Sequence, residues 1–150
     1  MADLSVTAAN VVKGTAANSP TGVSPATTTF NAAVTITAGQ SLYADTSVSP
    51  PVWRLSQCDG TAIESRCDGI ALNGGAAGQP VQAQTAGAVN MGAILTDGTQ
   101  YCVSATAGGI CPVHDLVATN RLSIVGWSSS TSLLQLTRLN TEKALAADVT

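Results

Sequence analysis

One turn-and-strand pattern occurs twice in this chain, and the duplication constrains the fold more than any other feature. Ile36-Thr37-Ala38-Gly39-Gln40-Ser41-Leu42-Tyr43 recurs 59 residues later as Leu95-Thr96-Asp97-Gly98-Thr99-Gln100-Tyr101-Cys102. After an insert of variable length, each copy meets a second shared pattern. Gly69-Ile70-Ala71-Leu72 followed by Val81-Gln82-Ala83-Gln84-Thr85 has its counterpart in Gly126-Trp127 followed by Leu133-Leu134-Gln135-Leu136-Thr137. Repetition of this kind predicts two similar β units that together close one core. It points to a scaffold or binding module and away from an active site.

The 150 residues suit one domain with extensions. Ala, Thr, Ser and Gly supply 71 of them and aromatics only 3%, so the core is light and the two tryptophans carry disproportionate weight. Charged residues are 10%, against about 25% in an average soluble domain. That balance suits turn-rich β structure within a large assembly. The net charge is −3 and the six basic residues are scattered, so no basic stripe exists to neutralise phosphates, and direct nucleic-acid binding is not expected. No apolar run of about 18 residues is present, which excludes a spanning helix; no membrane partner is expected. Met1-Ala2-Asp3-Leu4 lacks the basic and apolar regions of a secretory signal, so synthesis in the cytoplasm is expected.

Residues 3–12 alternate in strand fashion, with Leu4, Val6 and Ala8 on one face. The Thr/Ser/Ala/Pro-rich stretch 14–29 has no period and reads as an extended arm. The expected organisation is an N-terminal strand and arm over 1–30, a β domain over 31–139, and a C-terminal tail over 140–150 with a frayed helix at 141–145. The domain is expected to be all-β, a compact barrel or sandwich. Leu42, Ile70, Val81, Ile94, Ile124 and Leu134 should share its core. Thr61 followed by Glu64 predicts a single capped helical turn. The Asn73–Gly78 stretch reads as a flexible connector.

Four cysteines form two pairs of equal spacing, Cys58/Cys67 and Cys102/Cys111. The eight intervening residues are far from the spacing of a structural zinc knuckle. Cys102 and Cys111 flank a hairpin with Gly108-Gly109 at its tip, where a cross-strand bridge is geometrically easy. In an oxidising exterior Cys102–Cys111 is the first candidate disulfide and Cys58–Cys67 the second; free buried thiols are the alternative in a reducing cytosol.

The search for chemistry finds little. His114 is the only histidine, and in a strand its neighbour Asp115 would point to the opposite face. Carboxylates are isolated, and Asp59-Gly60, Asp68-Gly69 and Asp97-Gly98 suit turns. No catalytic residue, cofactor or metal is assigned. Trp53 and Trp127 could stack on a ligand, but with so few aromatics a core or subunit contact is the better reading. Candidate contacts with a partner surface are Leu4, Val6, Val11, Val12, Trp53 and Trp127.

The 36–45 and 69–87 segments, with Leu95–Tyr101, Val125-Gly126-Trp127 and the opening 2–11, resemble the small capsid decoration (cement) proteins of tailed bacteriophages, a β-rich family encoded beside major capsid genes. The resemblance covers about residues 2–139. The four cysteines and the long 46–68 insert depart from it. It implies a β-barrel or sandwich-like homotrimer on the exterior of the virion, clamping major capsid protein subunits against internal pressure, with no catalysis. A virion fibre or host- and glycan-binding β module is the alternative.

Overall fold

The computed structural model describes residues 3–15 and 23–146. Nine strands follow in chain order: β1 Ala26–Ala32, β2 Ser41–Asp45, β3 Val52–Leu55, β4 Gly69–Ala71, β5 Pro80–Asn90, β6 Gln100–Val103, β7 Ile110–Pro112, β8 Arg121–Ser128 and β9 Leu133–Ala144. The only helical elements among the described residues are short 3₁₀ turns at Ala8–Asn10 and Val113–Asp115. The fold is all-β. Strand order is β1-β3-β2-β4-β5-β9-β8-β6-β7, and β1 also pairs with β5. The first five strands therefore form a closed circuit of pairings, and the last four extend from it along β5.

The two sequence repeats are two congruent four-strand units, β2–β5 and β6–β9. In each, a hairpin is followed by a strand that pairs with the hairpin's first strand, then by a strand that pairs with that one. The register agrees residue by residue. Leu42 faces Gly69 as Tyr101 faces Gly126, and Ile70 faces Gln84 as Trp127 faces Gln135. Gly39 N donates to Ala71 O and Gly98 N to Ser128 O. Gln82 N is capped by Asn73 Oδ1, and Leu133 N by Ser130 Oγ. Gly39 and Gly98 both have positive φ (92° and 75°), the turn geometry that glycine permits. One correction applies to the last strand: Gln84 corresponds to Gln135, not Leu136. A slip of one residue would exchange the two faces of the strand.

The units join where their last strands meet. Pro80–Ala86 of β5 belongs to the first unit's sheet, whereas Gly87–Asn90 pairs with Leu133–Leu136 of β9. Gly87 has a φ of 81° at the transition. Two cores result, where one was expected. The first fills the closed circuit with Ala32, Ile36, Leu42, Trp53, Ala71, Val81 and Ala83. The second lies between the units, with Ile70, Val89, Met91, Tyr101, Val103, Ile110, Val125 and Leu134 among its members. Strand β4 supplies both, Ala71 to one and Ile70 to the other, as the period-2 alternation of a strand requires.

Several expectations change. Ile94 is only partly buried against the second core, and Ile124 belongs to neither; the bulge in β8 makes Val125 the buried residue. The 1–30 arm is not uniform. Leu4, Val6 and Ala8 pack on the second core, and β1 crosses the 30/31 boundary, where its pairing with β3 and β5 closes the circuit. The expectation for 16–22 lies outside the described residues. In the tail, β9 runs to Ala144 in place of a frayed helix, because Arg121 pairs with Ala144. The Asn73–Gly78 connector is tied down by Asn73 and by the Ile36–Gly75 bridge. Thr61 and Glu64 do form the reciprocal cap of one turn.

At Gly126 an added Cβ would lie 2.0 Å from the Gln135 carbonyl oxygen, whereas at Gly98 it would meet nothing within 4 Å. Gly126→Ala should therefore cost about 3 kcal/mol or more by forced overpacking, and Gly98→Ala about 1–2 kcal/mol by left-handed strain alone. Urea denaturation of the two variants checks the order. Val125→Asp should prevent folding, and Ile124→Asp should not.

Candidate functional site

Three surfaces draw on the residues singled out by the sequence. The first is the outer face of β6, β8 and β9. Gln100, Trp127 and Leu139 are exposed on this face and Ile124 is half-buried; Cys102 and Gln135 share it by pairing but are buried. Trp127 is 41% and Leu139 58% exposed, and Ile124 lies directly opposite Leu139. By the congruence of the units, Trp127 is the counterpart of Ile70. Ile70 is fully buried between the units. The position that the first unit covers with the second is thus left open on the second unit.

The other proposed contacts separate. Trp53 is buried, with its indole Nε1 donating to Val81 O at 3.1 Å, and is a core residue of the closed circuit. Val11 is likewise buried, because the 3₁₀ turn before it directs it into the second core. Leu4 and Val6 are half-buried against that core. Val12 is exposed beside its bridge to Asn90. Of the six, Trp127 and Val12 remain as apolar surface.

The second surface is a cleft of about 470 Å³ at the mouth of the closed circuit, walled by Phe30 and Trp53 and rimmed by Arg66, Asp68 and Arg138. Asp68 is fixed by Ala44 N, which donates to Oδ2 at 2.9 Å, and by Arg66 Nη2 at 3.3 Å. A neighbouring groove of about 310 Å³ continues past Tyr43, Asp45 and Glu64. There the Ser47 hydroxyl and the Arg54 guanidinium hold the Asp45 carboxyl below its ordinary range. Burial first, then the nearby Glu64 charge, pushes the Tyr43 phenol upward.

The third is the cysteine region. All four cysteines are buried free thiols, so neither candidate disulfide is present. The hairpin does place Cys102 opposite Cys111, with Sγ atoms 3.6 Å apart. Cys58 and Cys67 are held by different strands of the second unit. Cys58 N donates to Ser104 O and its carbonyl accepts from Arg121 N, whereas Cys67 N donates to Asn140 Oδ1. Burial pushes both of these thiols up to about 12. Cys102 is raised as well, first by its hydrogen bond to Cys111 and then by burial. No group of three or more His, Cys, Asp or Glu among the described residues is arranged to hold a metal. His114 and Asp115 do meet, at 3.5 Å, because they lie in a 3₁₀ turn and not in a strand; the imidazole is 78% exposed. No helix among the described residues is long and apolar enough to cross a membrane.

No protein-family model matches the chain, and no curated protein or solved structure matches it either.

The raised thiols carry a pH signature. An unfolded thiol ionises near 9, the folded Cys58 and Cys67 near 12. The folded chain therefore holds more protons between these values, and the thiols' contribution to stability, constant below about pH 9, falls as pH rises toward 12. Denaturation midpoints measured from pH 7 to 11 should decline above 9, and decline less in Cys67→Ala. Alkylation at pH 8 should label none of the four thiols until the chain unfolds.

Proposed function

We propose that this chain is a structural protein of the tailed-phage virion, binding the outer surface of the head and stabilising contacts between major capsid subunits. The observation that carries the reading is the open counterpart of a buried position. Trp127 stands where Ile70 is covered, with Leu139 and Ile124 beside it, on a body with few charges to oppose apolar contact. Exposed aromatics of this kind are favoured anchors at protein interfaces. The resemblance of the 36–45, 69–87 and 95–101 segments to capsid decoration proteins supplies the partner, the threefold site and the homotrimer. Two units joined through nine continuous strands form a body suited to bridging neighbours and resisting their separation.

The effect expected of such a protein is small per contact and multiplied over the shell. Binding to the intact head, and not to its separated subunits, is equivalent by linkage to stabilising the head. Decorated heads should therefore rupture at higher temperature, or under stronger osmotic shock, than undecorated ones. Trp127→Ser should leave the fold intact and weaken head binding by about tenfold or more, the loss of a central aromatic anchor. Equal rupture of both kinds of head, or full affinity of the Trp127→Ser protein, would contradict the reading.

A further inference from the structure

The cleft over Phe30 and Trp53 is not accounted for by attachment through Trp127, which does not line it. Its aromatic wall is a tilted pair with ring centroids 4.9 Å apart. Trp53 is buried behind the half-buried Phe30 with its one donor spent on Val81 O, so the aromatic wall presents Phe30 ring surface and no polar group. Thr28, half-buried, and Thr46, exposed, also line it.

Two arginines stand at the rim. The Nε of Arg66 is buried without a hydrogen-bond partner, while its terminal nitrogens reach Asp68 at 3.3 Å and Glu142 at 3.7 Å. Both distances are long for charge-assisted bonds, which settle near 2.7–2.9 Å. Arg138 sits in β9 with φ of 48°, a left-handed conformation that a side chain adopts against strain, and makes a single bond of 3.3 Å to the Asp68 carbonyl. The strain belongs to the bulge where β9 shifts register against β8, and the buried Arg66 Nε is the donor left to be satisfied by a ligand. The lining holds two guanidinium groups against one carboxylate, and that carboxylate is already occupied by Ala44 N and Arg66.

We propose that this cleft binds the carboxylate-bearing ring of an acidic sugar, a hexuronate. Arg66 and Arg138 would take the carboxylate, the planar fork geometry for which guanidinium is suited. The apolar face of the ring would lie on Phe30, and its hydroxyls would reach Thr28 and Thr46. A bare carboxylate would use the arginines alone; the Phe30 ring and the two threonine hydroxyls add recognition of the sugar ring. Phe30, Trp53 and Arg66 lie with the first five strands and Arg138 on β9 of the second unit, and the proposal does not depend on attachment to a capsid.

The test is a nuclear magnetic resonance titration of the full chain with D-glucuronate, using D-glucose and acetate as comparators. Glucuronate should shift the Arg66 Nε–H resonance saturably and bind at least about tenfold more tightly than glucose, the margin of one charge-assisted hydrogen bond, and more tightly than acetate, which lacks the ring. Arg138→Gly removes the guanidinium and relieves the left-handed strain. It should lose at least about tenfold in glucuronate affinity without lowering the melting temperature. Thr46→Val, at an exposed position, should weaken glucuronate and leave acetate unchanged. Absence of a saturable shift, equal binding of glucose or acetate, or unchanged affinity in Arg138→Gly would overturn the proposal.

Discussion

Gln84 holds the bend at which β5 leaves one sheet and enters the other. Its side-chain nitrogen donates to Ala86 O at 2.9 Å and Ala88 O at 2.8 Å, on either side of Gly87, and its side-chain oxygen accepts from Gly14 N at 3.0 Å. A backbone that turns away from its first ladder at this depth would otherwise bury unpaired carbonyls, each costing about 1–3 kcal/mol. The buried amide satisfies them and ties the N-terminal segment to the same point. Because β5 is the only strand common to both sheets, the relative placement of the two units follows from this local arrangement.

The units are congruent, but their closure is not. In the first, β1 completes the circuit, and Ala33 N donates to Trp53 O at 2.9 Å. In the second, the same place on the hairpin is taken by the N-terminal segment, with Leu4 N donating to Ile110 O at 2.8 Å. Trp53 and Ile110 are equivalent in register, each opposite the third residue of its hairpin partner's core pattern, Ala44 and Val103. One unit is thus sealed by a seven-residue strand and the other by a brief contact. Ile70 is closed by packing between the units, a cover that Trp127 at the equivalent place lacks.

Much of this was legible in the sequence. The 36–43 and 95–102 repeat marks β2 and β6 because turn glycines and apolar alternation must recur wherever the same hairpin entry recurs. Gly69 and Gly126 were legible for a related reason, since both lie under the carbonyl of a buried glutamine. Three features were not. The bulges in β8 and β9 shift the inward face from Ile124 to Val125, and nothing in the local alternation signals an extra residue. The role of Gln84 depends on contacts with residues 70 positions away at Gly14. The clustering of Arg66, Asp68 and Arg138 depends on Arg138 adopting a left-handed conformation that sequence patterns assign to glycine. Each miss arises where tertiary contact overrides a local preference.

Under the proposed capsid role, the uncovered face of the second unit is the surface by which this body meets its partner. Electron cryomicroscopy of mature heads carrying the protein tests that claim most directly. It predicts density for the two-unit body on the outer shell, with Trp127 and Leu139 turned into the contact with the major capsid protein or with a neighbouring copy. A shell that shows no such density, or that shows the body attached with Trp127 facing solvent, would contradict it.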